Sequence, residues 1–228
     1  MKRILTELLY LFFPNTCVNC KSPLIIGEEQ LCIACLNQLS YTRFNVNQNP
    51  AELLFAGRNE ISAAYAFLHY EKGGITQKLI FSLKYHNNKK LGFLLGRMAA
   101  LQLIRQVDFE QPDVIIPVPL HKKRLKKRGY NQSEWIAKGF NSVCRKSIDT
   151  TSLVRLKKTE TQTKKSVYDR ITGIETAFQL TSGENLEGKH VLLIDDVMTS
   201  GATLNACVKE LSRCEKIKIS IFCLAVAQ

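Results

Sequence analysis

Asp195 and Asp196 are adjacent carboxylates that follow four branched apolar residues, Val191 to Ile194, and precede a run of small and hydroxylated residues, Val197-Met198-Thr199-Ser200-Gly201-Ala202-Thr203. Paired carboxylates accept hydrogen bonds from vicinal sugar hydroxyls but repel a bare phosphate. A glycine-containing turn that opens a helix does the opposite, because its free N–H groups and the positive end of the helix dipole face an anion. A ribose 5-phosphate satisfies both ends. A Walker loop is excluded, since no Gly-x-x-x-x-Gly-Lys-Ser/Thr occurs.

A second chemistry lies near the N-terminus. Cys17 and Cys20 form one Cys-x-x-Cys pair and Cys32 and Cys35 another, separated by 11 residues that include Pro23 and Gly27. Two such knuckles converging on one ion suit tetrahedral Zn²⁺, and a closed four-thiolate shell makes that zinc structural. The competing readings are redox-active pairs, which lack a thioredoxin-like βαβ context, and an iron–sulfur cluster, which favours other spacings. The third signal is His121-Lys-Lys-Arg-Leu-Lys-Lys-Arg-Gly129, with six basic residues between Lys122 and Arg128. Such a loop repels itself unless an anion sits among its charges; pyrophosphate and a nucleic-acid backbone are both candidates, and a merely solvated loop is the bland alternative.

The elements that must position these groups read as α/β. At 228 residues, 45% hydrophobic and 23% charged, the chain suits one α/β core plus a small appendage. Its net charge of +12 asks for an anionic partner, phosphorylated small molecule, nucleic acid or both. Eight cysteines, four of them in metal-like pairs, point to metal in a reducing cytoplasm rather than to a disulfide framework. Residues 1–13 carry basic and then apolar residues, but Glu7 interrupts the run and no small-residue cleavage site follows, so an amphipathic helix on the metal module is expected rather than a signal peptide. No apolar run reaches the length of a membrane span.

The polar stretch 45–59, with Pro50 and Gly57, reads as a linker. A strand is expected over 61–70 and a helix bearing Ile75, Leu79, Ile80 and Leu83 at helical spacing, ending in Lys84-Tyr85 and an Asn/Lys cluster. A further helix covers 91–106. Residues 113–120 read as a buried strand that leaves the sheet at prolines, Gly129 as an unusual backbone angle before a helix from about Asn131, and Trp135 as core. The last strand is 216–226, and Cys207, Cys214 and Cys223 are packing thiols.

The 191–203 run resembles the phosphoribosyl pyrophosphate (PRPP) motif of type I phosphoribosyltransferases. Adding Pro117-Val118-Pro119-Leu120-His121, Arg128-Gly129-Tyr130-Asn131-Gln132, Arg155, Thr159, Gln162 and Arg170, nearly the whole chain resembles the ComF family, bacterial competence proteins that pair a four-cysteine zinc finger with a phosphoribosyltransferase-like domain. The resemblance implies a doubly wound parallel sheet of that type over 51–228, preceded by an N-terminal helix and zinc-finger module over 1–50. It implies that Asp195 and Asp196 hold ribose and Mg²⁺, that residues 197–203 hold the 5'-phosphate, and that Lys84, Tyr85, Arg128, Gly129, Asn131 and Gln132 face the pyrophosphate. A flexible hood bearing Arg155, Thr159, Gln162 and Arg170 would close over the site, the alternative for that stretch being an exposed linker or hairpin with no gating role.

Purine-salvage relatives carry an aspartate where this chain has Thr199, so no catalytic base is named and the acceptor stays open. Three functions remain: transfer of phosphoribosyl to an unidentified acceptor, PRPP-responsive sensing, and single-stranded DNA binding during DNA uptake, with other uptake proteins as further partners. Lys122, Lys123, Arg124, Lys126 and Lys127 are the expected nucleic-acid contacts, with Tyr85, Tyr130 and Tyr168 as candidate stacking rings.

Overall fold

In the computed structural model, five parallel strands form one sheet: β1 (Ala63–Tyr70), β2 (Val114–Pro117), β3 (Ser147–Ile148), β6 (His190–Met198) and β7 (Lys218–Ala227), in the order β1-β7-β6-β2-β3; β2, β6 and β7 carry the branched apolar runs. A separate antiparallel pair, β4 (Leu153–Arg155) and β5 (Phe178–Leu180), stands beside it. The structure describes residues 14–42, 50–55, 61–106, 109–156 and 177–227. The expected N-terminal helix (1–13), Tyr168 and the hood residues Thr159, Gln162 and Arg170 lie outside the described residues.

Seven α-helices are described, two before the first strand and five between strands: α1 (Ile33–Asn37), α2 (Pro50–Leu53), α3 (Ile75–Tyr85), α4 (Lys89–Gln106), α5 (Lys122–Arg128), α6 (Gln132–Cys144) and α7 (Ala202–Leu211). The chain leaves β2 through α5 and α6 toward β3, but leaves β6 through α7 toward β7, in the opposite direction along the sheet. The carboxyl ends of β2 and β6 therefore flank a topological switch point, where open α/β sheets form ligand crevices.

Strand side chains alternate between two cores, as a period of two requires. Ile115, Leu192, Ile194 and Phe222 pack with Leu79 and Leu83 of α3, Leu95 of α4, and Ile136 and Phe140 of α6. Val114, Ile116, Val191, Leu193 and Ile221 pack with Leu204, Val208 and Leu211 of α7 and with Leu153 and Phe178 of the hairpin. Helices α4 and α6 cross at glycines: a Cβ on Gly139 would lie 2.0 Å from the Phe93 carbonyl oxygen, and one on Gly96 2.1 Å from that of Ile136. Only glycine allows backbones this close.

The four-cysteine module docks on the first core through Cys17, Leu31, Cys35 and Leu39. Beyond it, residues 40–42 lie antiparallel to β1: the His69 N–H donates to the Ser40 carbonyl at 2.8 Å and the Thr42 N–H to that of Phe67 at 3.1 Å. This covers an otherwise open sheet edge.

Three expectations change. The basic stretch 122–128 is a helix, not a loop: His121 Nδ1 accepts from the Lys123 N–H at 3.2 Å to start it, and Gly129 at φ 77° ends it. The expected linker contains α2, and Ala51 and Phe55 are buried in the second core. Trp135 is half-buried, with the Lys89 and Lys138 ammonium groups 5.7 and 4.7 Å from its ring. Cys207, Cys214 and Cys223 are buried as expected.

Candidate functional site

An open cleft of about 510 Å³ lies at the carboxyl ends of β1, β2 and β6. Strand β6 runs through both acids to Met198, so backbone pairing with β7 fixes their positions, Asp195 lying opposite Cys223. One oxygen of Asp195 accepts from the Ser133 hydroxyl at 2.9 Å and from the Asp196 N–H at 2.8 Å. Asp196, 8% exposed, pairs with the Lys84 ammonium at 3.1 Å. Burial first, and then the charge of Asp196, pushes the Asp195 carboxyl up to about 7, against the opposing effects of the Asp196 N–H, Lys84 and Ser133. Two carboxylates under that mutual strain are relieved by a bound cation.

Next to the acids, Gly201 at φ 71° turns the chain into α7 and, as its N-cap, offers no capping side chain of its own. Its first N–H groups therefore stand without intrahelical partners at the cleft. Thr199 and Thr203 line the cavity, as does Val197. Met198 instead points into the second core, and Ser200, Gly201 and Ala202 are not lining residues.

The opposite wall is cationic. Arg124 and Arg128, one turn apart on α5, line the cleft, while Lys122, Lys123, Lys126 and Lys127 are exposed on the outside of that helix. Arg124 therefore groups with Arg128, not with the four lysines. Arg155, at the end of β4, also lines the cleft, its guanidinium 4.9 Å from the Phe178 ring. Gln132 is 2% exposed, lines the cleft, and its amide nitrogen finds no hydrogen-bond partner among the described residues. A buried donor left so is costly, and a ligand oxygen would satisfy it.

Lys84 and Tyr85 both line the cleft, whereas Gly129 and Asn131 act behind it. Asn131 caps α6 by accepting from the Ser133 N–H at 3.2 Å, and donates to the Val118 carbonyl at 3.0 Å. Tyr130 is buried with its hydroxyl donating to the Leu83 carbonyl, which removes it from the candidate stacking rings. Sequence reasoning missed Ser133 and Phe81. It also missed the pocket role of Arg124, for which the four-residue spacing from Arg128 was the available signal.

At the other site, the four cysteine sulfurs lie within 4.8 Å of one another, and those of Cys20 and Cys32 are 3.7 Å apart. A tetrahedron with metal–sulfur bonds of about 2.3 Å has an edge of about 3.8 Å, so the shell fits a metal such as zinc. Hydrogen bonds from Ser22 hold the Cys20 thiol down at about 6. Although the Asn19 amide donates to the Cys35 sulfur at 3.2 Å, burial and the neighbouring thiols push Cys35 up to about 12. A cation at the centre resolves that conflict.

A family model described as phosphoribosyl transferase domain matches residues 83–227. The chain is 26% identical to the DNA utilization protein YhgH of Shigella flexneri over 92% of this chain and 96% of that one. It is 28% identical to competence protein F of Haemophilus influenzae over 95% and 99%. Competence protein ComFC of Bacillus subtilis is 37% identical over 40% of this chain and 35% of its own. Among solved structures, an allosteric regulatory enzyme of purine biosynthesis aligns at 18% identity with a TM-score of 0.34, and the chain spans only 25% of that protein. No described helix is long and apolar enough to cross a membrane. The chain belongs to the phosphoribosyl transferase domain family, as a ComF-like relative of competence and DNA utilization proteins.

Proposed function

We propose that the cleft binds PRPP with Mg²⁺, and that the protein serves DNA uptake by handling single-stranded DNA. The observation that carries the first part is the opposition, across one cavity, of Asp195 and Asp196 to Arg124 and Arg128. PRPP is polarised in the same way, with hydroxyls at its centre and phosphates at both ends. On this reading the ribose hydroxyls donate to the two acids, and the 5'-phosphate takes the N–H groups of the turn 199–203. The pyrophosphate takes Arg124, Arg128, Gln132 and Lys84. Asp195 and Asp196 would hold Mg²⁺, which neutralises pyrophosphate charge when bound. Calorimetric titration of PRPP with Mg²⁺ tests this: a one-to-one isotherm is expected, and none at millimolar ligand removes the reading.

The DNA role rests on the four exposed lysines of α5 beside that cleft, together with the names of the relatives. Other uptake proteins are proposed as partners on the same ground. A second reading, transfer of phosphoribosyl to an acceptor, is favoured by the match of residues 83–227 to the phosphoribosyl transferase domain model. Pyrophosphate release with a supplied acceptor measures it.

We assign Zn²⁺ to Cys17, Cys20, Cys32 and Cys35 in a module spanning 1–50, with the phosphoribosyltransferase-like domain over 51–228. The burial of Ala51 and Phe55 in the second core supports that division. Elemental mass spectrometry is expected to find about one zinc per chain.

A further inference from the structure

Large apolar side chains left in water at the mouth of a polar cleft need a reason. Phe81 and Tyr85, one turn apart on α3, are 51% and 64% exposed, and no other aromatic is among the exposed large hydrophobic residues described. Their ring centroids are 4.6 Å apart with planes tilted by 42°, and His86 and Phe81 make a T-shaped pair at 5.4 Å. Both rings line the cleft. Lys84, between them in sequence, reaches inward to Asp196 at 3.1 Å, so one helical turn presents an ammonium to the acids and two rings to the entrance. Across from them, the Arg128 guanidinium lies 5.8 Å from the centre of the Tyr85 ring.

A guanidinium near one ring and a second ring packed beside it form an exposed, cation-edged platform for a flat, electron-rich group. We propose that Phe81 and Tyr85 form a stacking subsite for an unpaired nucleobase at the entrance of the cleft. The base would be held by its face rather than its edges: Asp195 and Asp196, the only carboxylates described in the lining, are engaged with Ser133 and Lys84. Every base has a π-face, so recognition here tolerates all four. The charge around the two rings fits a base that brings phosphates, with Arg128 at the Tyr85 ring and the exposed lysines of α5 beyond it. This deepens the proposed function and rests on it in one respect, that the cleft and the basic helix serve one ligand system.

The test compares a short single-stranded oligothymidylate with an abasic strand of the same length by fluorescence anisotropy at fixed salt. The wild-type protein should bind the base-bearing strand about tenfold more tightly, since stacking is the only difference. Phe81→Ala with Tyr85→Ala should bring that ratio close to one, and Tyr85→Trp should preserve it. Equal affinity of the wild-type protein for the two strands overturns the proposal, as does an unchanged ratio in the double variant. The source of the base is read by quenching of the tryptophan introduced by Tyr85→Trp in a Trp135→Phe background. Quenching by free adenosine assigns a small-molecule base and quenching by strand alone a nucleic-acid one; quenching by neither overturns the subsite. PRPP titration is run separately, so loss of PRPP binding with the strand ratio intact would sink the phosphosugar reading and not the stacking subsite.

Discussion

The two walls of the cleft are built on different terms. The acidic wall belongs to the central strand of the sheet: Asp195 and Asp196 are paired into β6, bonded to Ser133 and Lys84, and backed by residues with no solvent exposure. The basic wall is a seven-residue helix with no buried residue, held by a cap at each end. The acidic side is thus preorganised by the core, while the basic side stands on a helix that buries none of its residues. Charges of the first kind are expected to carry affinity, and those of the second kind to carry encounter rate and salt dependence.

The sharpest test of that contrast removes the acids. Asp195→Asn with Asp196→Asn should weaken PRPP·Mg²⁺ by about 100-fold or more, at about 1.5–3 kcal/mol for each charge-assisted bond removed, as read by calorimetry. On the other wall, Arg124→Ala and Arg128→Ala should each cost about tenfold, and near-additivity of the pair would show that they act on the ligand independently.

The pH dependence comes next. Because Asp195 is held near 7, PRPP·Mg²⁺ affinity should rise from pH 6 to pH 8 by several-fold as the carboxyl ionises, and Asp195→Asn should flatten the profile. Stability runs the other way. A folded-state carboxyl raised above its unfolded value of 3.8 binds its proton more tightly in the native protein, so stability is lost as pH climbs from about 4 to about 7. Asp195→Asn should therefore stabilise the free protein at pH 8, on the order of 1–2 kcal/mol after allowing for solvent screening, and do nothing at pH 4. Urea denaturation at the two pH values measures it.

The smallest effect falls on the outer face of α5. Lys126→Glu with Lys127→Glu should leave PRPP affinity within about twofold, yet reduce the salt slope of single-strand binding by about 0.7 for each phosphate that the helix no longer neutralises. A large loss of PRPP affinity would erase the distinction between inner arginines and outer lysines.

The β6–α7 turn was legible because one contiguous stretch holds strand, acids, glycine and helix start, and local rules suffice for all of them. Four of the five sheet strands were legible from their apolar runs, whereas β3, two residues long, left no pattern to read. Helix α5 was not, because six basic residues and a single leucine leave no apolar periodicity to betray a helical repeat. Without the helix, Arg124 could not be separated from Lys123 by phase. Ser133 was invisible for a different reason: its hydroxyl meets Asp195 only after α6 is laid across the sheet, 62 positions apart in the chain. Tyr130 misled because its type suits stacking, while the Leu83 carbonyl that claims its hydroxyl is a tertiary fact.

The bare crossing at Gly96 and Gly139 sets a gauge between α4 and α6. Widening it by a single methyl group would move α6 by about 1 Å, since neither backbone can give way. The first turn of that helix carries Gln132 and Ser133, so the shift would loosen the bond at 2.9 Å that holds Asp195. Random mutagenesis should then recover well-folded, binding-deficient proteins altered at two positions that touch no ligand, and a graft of this cleft onto another scaffold would need to copy that helix spacing along with the residues at its rim.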